Sequence, residues 1–385
     1  MRLLHLSDLH IGKRVCETDL TEDQRRILEQ IVAVSDRVRP DAVLIAGDLY
    51  DRGVPPGDAV GLLDDFLTAF ASRGVPVLAI SGNHDSPERL DFGSRIMSRN
   101  GITIAGTFRG HMETVVLRDA FGPVNFYLLP FLRPASVGPY FPQKAETTEQ
   151  AVRMVMDSQP VDPTARNVLV AHQFVVNGSR GPTVSGSEII LSVGGSDNVD
   201  ASVFSAFDYV ALGHLHGAQS IGRPEVRYCG SPLKYSFAEV RENKSATVVE
   251  LGAKGCVRIS AEPLTPLRDM REIRGPIAGL TRPEVSSLGD CRDYIRAVLT
   301  DGREVSDAVG RLRAVYPNLM QVNFENARDE RAEPSKSAAS GDVAHRTPVE
   351  LFEEFYRNQS GAELPEDERR ELEQAVKAAL QEEGT

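Results

Sequence analysis

Seven side chains stand out for what they could bind: Asp8, His10, Asp48, Asn83, His172, His214 and His216. They offer carboxylate, amide and imidazole donors and no thiolate, a set suited to divalent metals. One ion takes three or four protein ligands, so seven point to two ions with one carboxylate between them, and Asp48 is the natural bridge. Paired ions lower the pKa of a water and clamp phosphate oxygens as charge develops, so phosphate-ester hydrolysis is the chemistry to expect.

Each ligand arrives at the end of a short apolar run. Leu3-Leu4-His5-Leu6 leads to Asp8 and His10, Ala42 to Gly47 to Asp48, Val77 to Gly82 to Asn83, Val168 to Ala171 to His172, and Tyr209 to Gly213 to His214 and His216. Runs of this length, rich in Val, Ile and Leu, read as strands buried on both faces, and their C-terminal ends form one edge where a site can assemble. Between them the period changes to helical. Thr21 reads as an N-cap with Gln24 three residues on, followed by Ile27, Ile31, Val34 and Val38 up to Pro40. Ala59 to Phe70 places Leu62, Leu63, Phe66, Leu67 and Phe70 on one side. The alternation gives an α/β layered domain.

The motifs carry a resemblance. Asp8-Leu9-His10, Gly47-Asp48, Gly82-Asn83-His84-Asp85, His172 and Gly213-His214-Leu215-His216 are similar, in order, to the five motifs of calcineurin-like metallophosphoesterases. The opening His5 to Gly12, the stretch Gly47 to Gly53, and Phe207 to His216 followed by Tyr228 to Leu233 resemble the SbcD nuclease family, closely over residues 1 to 260 and in outline beyond. The resemblance implies a four-layer fold of two facing sheets flanked by helices. It implies two Mn²⁺ ions, one held by Asp8, His10, Asp48 and His216 and the other by Asp48, Asn83, His172 and His214, although Fe²⁺, Zn²⁺ and Co²⁺ also suit such shells. His84 adjoins a ligand without being needed to fill either shell, so it is the expected proton donor to the leaving sugar oxygen, with Asp85 expected to fix its tautomer.

The family's activity would be a two-metal phosphodiesterase acting in DNA repair and recombination. It combines ATP-independent single-strand endonuclease activity with ATP-dependent 3′–5′ double-strand exonuclease and hairpin opening. Its partner is the coiled-coil ATPase SbcC, in a complex of two nuclease and two ATPase chains. This sequence has no G-x-x-x-x-G-K-[ST] of its own, so ATP dependence would come from that second subunit. Helical segments around Leu62 to Phe70 and Phe92 to Met97 are candidates for a homodimer interface. One position departs from archaeal and eukaryotic relatives, which commonly carry His three residues after the bridging Asp. Here it is Asp51, and Gly47 to Gly53 is thereby similar to the G-D-x-x-D-R-G signature of serine/threonine protein phosphatases. A phosphomonoesterase is therefore one alternative and a noncatalytic scaffold of the same fold another. Asp85 after His84, where those phosphatases usually carry Glu, and the intact ligand set argue against them.

At 385 residues the chain exceeds what one core usually supports, so several units are expected. His5 and Asp8 interrupt the first apolar run, against a signal peptide, and no run approaches transmembrane length. Cys16, Cys229, Cys256 and Cys291 lie far apart, as reduced thiols in the cytoplasm would. The net charge of −12 opposes nonspecific attraction to DNA. About half of it lies in the last forty residues, and several remaining acids are the proposed ligands. Charge neither excludes nor establishes a nucleic-acid substrate.

The phosphoesterase unit is expected to span 1–262. Beyond it Pro263, Pro266, Pro276 and Pro283 punctuate short segments, amphipathic stretches run from Asp290 to Leu299 and Val305 to Tyr316, and Leu319 to Phe324 alternates like a strand. Residues 263–326 thus read as a small α+β unit, which the resemblance makes a capping, DNA-positioning domain. Residues 327–345 have the composition of a flexible linker. In 346–385 Thr347-Pro348-Val349-Glu350 opens a helix with Leu351, Phe352, Phe355 and Tyr356 on one face, which the resemblance assigns to gripping the ATPase coiled coil.

Overall fold

Two six-stranded sheets carry the motifs. In this computed structural model the described residues are 1–178, 180–184, 197–301, 305–325 and eight single positions between 349 and 376. The first sheet contains β1 (Arg2–Leu6), β2 (Ala42–Ala46), β3 (Val77–Ile80) and β4 (Ile102–Ala105), all parallel. The second contains β5 (Glu113–Asp119), β6 (Gly122–Leu129), β7 (Arg166–His172), β8 (Tyr209–Gly213), β9 (Gln219–Ile221) and β10 (Arg223–Tyr228) in the order β9-β10-β8-β7-β6-β5. Its inner strands β6, β7, β8 and β10 are parallel. The chain then returns to the first sheet through β11 (Ser245–Leu251), antiparallel to β1, and β12 (Val257–Pro263), completing the order β12-β11-β1-β2-β3-β4.

Three apolar layers explain the uniformly apolar runs. Leu3, Leu44, Leu78 and Ile80 of the first sheet share a core with Phe126, Val168, Val170, Tyr209 and Ala211 of the second, so the sheets face each other. The alternate residues Leu4, Val43, Ile45 and Ala79 pack outward with α1 (Thr21–Val38) and α2 (Gly57–Ser72) through Ile27, Ile31, Leu62, Phe66 and Phe70. On the far side Leu169, Ala171, Val210 and Leu212 pack with Ala151, Val152 and Val155 of α3 (Thr148–Ser158). This is the four-layer arrangement of helices, two sheets and helices. A strand buried on both faces has no polar side, which is why its sequence shows no alternation.

The start of α1 differs from expectation. Its N-cap is Leu20, no side chain caps it, and Thr21 is already helical. Gln24 instead accepts from Gly12 N–H at 2.9 Å and donates to the His10 carbonyl at 2.7 Å, tying the helix to the loop that carries Asp8 and His10.

Toward the C-terminus β13 (Met270–Gly275), β14 (Tyr294–Leu299) and β15 (Leu319–Phe324) form a third sheet in that order, with α4 (Ala308–Arg313) before the last strand. Of the two amphipathic stretches, the first is thus the central strand and the second contains a helix. The chain divides into two units: Met1–Ile273 with Ala278–Ala297 and Asp307–Val322, and Arg274–Ile277 with Val298–Ser306 and Asn323–Thr385. Leu351 and Phe355 lie outside the described residues, whereas Phe352 and Tyr356 are in helical conformation and Phe352 is 42% exposed. No helix among the described residues is long and apolar enough to cross a membrane.

Candidate metal centre

The ends of β1, β2 and β3 meet the ends of β7 and β8, and all seven proposed ligands fall at this seam. Asp8 and His10 lie in the loop after β1, whose backbone runs beside the loop after β2: Asp8 N–H donates to Gly47 at 3.1 Å and His10 N–H to Asp48 at 3.0 Å. His172 ends β7 and crosses to the other sheet, donating Nδ1–H to the Ala46 carbonyl at 2.7 Å. The approach is close enough to dictate glycine. A Cβ on Gly213 would meet the Ala46 carbonyl, His172 Nδ1 and Ser7, and one on Gly47, at φ +87°, would meet the His172 ring. The glycines before Asp48 and His214 therefore let two sheet edges close on one point.

Backbone strain gathers here as well. Asp8, His10, Asp48 and His214 have φ of +52°, +43°, +51° and +104°. Non-glycine residues hold such conformations only where the surroundings over-determine them, and these sites are often functional.

The donor atoms converge. Asp8, His10 and His216 form one set of close ligand atoms, Asp8, Asp48 and His172 a second, and His10, Asp48 and His84 a third. The Nε2 atoms of His10 and His216 face each other at 3.1 Å. His172 Nε2 lies 3.3 Å from Asp48 Oδ2 and 3.0 Å from Asn83 Oδ1, and His214 Nδ1 lies 2.9 Å from the same amide oxygen. With the His172 Nδ1 proton committed to Ala46, the Nε2 lone pair points at two oxygen acceptors. A cation shared among these acceptors, a proton or a metal ion, satisfies them together. The donor set and the convergence therefore fit a divalent metal.

Charge coupling says the same. Burial would push His172 down, but the Asp48 carboxylate overrides it and the imidazole is raised to about 9. Asp48, which burial alone would raise, is held well below the usual carboxylate range by His172, His10 and His84. Burial dominates for His10 and His214, whose imidazoles are lowered, the latter to about 3. Burial also raises Asp8. Asp48 and His172 are thus paired as carboxylate and imidazolium, 3.3 Å apart.

His84 lies beside His10 and Asp48 and is held by a different residue from the one expected. Its Nδ1 donates to the Asp51 carbonyl at 2.9 Å, and its backbone N–H donates to Asp48 Oδ1 at 2.8 Å. Asp85 does not fix the ring. Its carboxylate accepts from Gly82, Leu49 and Tyr50 N–H at 2.9, 3.1 and 2.9 Å, fastening the Asp48 loop to the Asn83 loop. Adjacent residues on a tight turn point apart, so the neighbour in sequence serves the backbone while a residue from another loop holds the ring.

Sequence reasoning missed the residues behind the ligands. Glu239, fully buried, accepts from His216 Nδ1 at 3.1 Å and is paired with Lys244 at 2.6 Å. Tyr235 donates its hydroxyl to the Leu9 carbonyl and packs edge-on against His10 and His216. Phe131 and Phe174 wall the opposite half beside His172 and His214. None of these stands in a motif spacing; only the nearby Tyr228 to Leu233 stretch hinted that this segment returns to the site. His5 serves the core, with Nδ1 2.8 Å from the Tyr209 hydroxyl.

Residues 1–218 match the calcineurin-like phosphoesterase family, and residues 266–360 match a domain described as the type 5 capsule protein repressor C-terminal domain. The SbcD subunit of the SbcCD nuclease from Staphylococcus epidermidis is 30% identical over 391 aligned residues, covering 100% of this chain and 100% of that one. The protein of the same name from Staphylococcus saprophyticus is 30% identical over 386, covering 99% of each. Among solved structures, TT1561 of Thermus thermophilus covers 68% of this chain and 98% of its own at 11% identity, with a TM-score of 0.40. Similarity along the whole chain, added to a phosphoesterase domain with its ligands assembled, places this protein in the calcineurin-like phosphoesterase family, among the SbcD-type nuclease subunits.

Proposed function

We propose that this chain is a two-metal phosphodiesterase, the nuclease subunit of an SbcC-SbcD-type complex acting on double-stranded and hairpin DNA in the cytoplasm. The observation that carries the reading is the convergence of seven nitrogen and oxygen donors from both sheets, in a chain related end to end to nucleases of that name. Asp8, His10, Asp48 and His216 would hold one Mn²⁺ and Asp48, Asn83, His172 and His214 the other. When bound, the pair supplies Lewis acidity for attack of water on the phosphodiester.

The chain's own part is orientation and one proton. His84 donates Nδ1–H to the Asp51 carbonyl, and as imidazolium it would carry on Nε2 the second proton, the one that passes to the leaving sugar oxygen. Asp85 keeps two ligand loops in register rather than tuning that imidazole. Residues 263–326 would cap the site and position DNA, 327–345 would link, and Leu351, Phe352, Phe355 and Tyr356 in 346–385 would grip the ATPase coiled coil. The homodimer of the 2:2 assembly is better served by Phe92 and Ile96, 86% and 71% exposed, than by Leu62 to Phe70, which the core consumes.

The test is a substrate panel: an end-labelled hairpin duplex, bis-p-nitrophenyl phosphate and p-nitrophenyl phosphate, each with Mn²⁺. Cleavage of DNA and diester, lost in His84→Ala, is the expected result. Hydrolysis of the monoester alone would favour the phosphatase reading that the Gly47 to Gly53 stretch allows, and inactivity toward all three with metals bound would favour a scaffold.

A further inference from the structure

Behind His216 stands a buried ion pair that no motif covers. Glu239 is fully buried, and one carboxylate oxygen lies 3.1 Å from His216 Nδ1 while the other is 2.6 Å from Lys244 Nζ. Lys244 is itself 8% exposed and donates to the His216 carbonyl at 3.0 Å, Ser231 Oγ at 2.9 Å and Glu242 at 2.7 Å. The pair thus grips His216 twice, at the ring and at the backbone. Burying two charges is costly, and a well-packed apolar pair of the same volume often serves stability as well or better. Retaining the charges calls for a use, and the ring they hold is that of a proposed ligand whose Nε2 faces His10 Nε2 at 3.1 Å.

We propose that Glu239, held by Lys244, is a positioning residue for metal binding: it fixes the proton of His216 on Nδ1, aims Nε2 into the centre and places negative charge behind that ligand. This rests on reading His216 as a ligand. Carboxylate groups behind metal-bound histidines orient the ring and raise its basicity, and their loss typically costs about 10–100-fold in metal affinity. His10 provides the internal contrast. Behind its Nδ1 stands Asp51 at 3.6 Å, beyond a hydrogen bond, with Lys13 2.7 Å from that carboxylate. The same order of groups recurs with a looser fit, so His216 is the ligand with the stronger support.

The experiment is Mn²⁺ titration calorimetry of the full chain and of Glu239→Gln, His216→Ala and the neutral pair Glu239→Gln/Lys244→Met. Gln keeps an acceptor oxygen and the volume, and the double variant removes both charges together, so folding is preserved in at least one of them. The expected result is that the site weakened by His216→Ala is also weakened about 10–100-fold in the double variant, with the other site less affected. Wild-type affinity in a folded double variant would overturn the proposal, because a purely structural ion pair can be neutralised without touching the metal. If His216→Ala weakens neither site, the ligand reading itself fails and the inference falls with it. A second readout needs no variant. In the Zn²⁺-loaded wild type, ring-nitrogen NMR should find His216 protonated at Nδ1 and metal-bound at Nε2, and the reverse would overturn the proposal.

Discussion

The two halves of the candidate metal centre are supported by different physics. On one side His172 donates to a backbone carbonyl of the opposite sheet, and Asn83 is carried by a loop that Asp85 fastens through three backbone N–H groups. On the other side His10 and His216 face each other with carboxylates and lysines behind them. The first half is supported from behind by main-chain groups, a carbonyl under His172 and three N–H groups around Asp85. The second is supported from behind by side-chain ion pairs. Asp48 belongs to both, 3.3 Å from His172 and 3.7 Å from His10.

The largest effect is therefore expected at Asp48. Asp48→Asn keeps the shape, removes the shared charge, and should empty both halves, with affinity falling beyond the roughly 10–100-fold typical of outer partners; metal analysis after gel filtration measures it. Retention of one tightly held ion would mean that the halves are independent. Next comes His84→Ala, which should lower turnover by about 10²–10⁴-fold while both metals remain, read from diester kinetics beside metal content.

A smaller effect separates the halves by pH. In the metal-free chain His172 is raised from its ordinary value near 6.5 to about 9, so its pairing with Asp48 contributes stability fully below about 6.5 and loses it as pH rises through about 9. A metal must displace that proton. Mn²⁺ affinity on the His172 side should climb by about tenfold per pH unit between 7 and 9 and then level off, as calorimetry in several buffers would record. A flat profile would remove the imidazolium–carboxylate pair from the account. The smallest effect sits at the seam: Gly213→Ala drives a Cβ against the Ala46 carbonyl and His172, and should cost about 1–3 kcal/mol in thermal unfolding.

Legibility in the sequence follows the same division. The strand ends are readable because a run buried on both faces has a distinctive composition, and a ligand after a small residue marks where such a run stops. Asp8, Asp48, Asn83, His172 and His214 are proposed as ligands that way, and His10 and His216 two residues further on. Glu239 and Lys244 are not legible in this way, since a charged residue in a short turn has no period and its partner is chosen by the fold. Asp85 misleads for a related reason: adjacency in sequence suggests contact with His84, whereas the turn sends the two side chains to different loops. The facing of the two sheets is beyond periodicity, because the inward and outward residues of the central strands are nearly all apolar. The stretch from Asp290 to Leu299 shows the opposite ambiguity, an amphipathic segment that becomes a central strand.

The central claim is that one carboxylate joins two ions, and electron paramagnetic resonance of the Mn²⁺-titrated chain tests it most directly. Two Mn²⁺ per chain with the exchange-coupled spectrum of a bridged pair, lost together with both ions in Asp48→Asn, is the predicted result. A single uncoupled ion at saturation, with DNA cleavage intact, would contradict it.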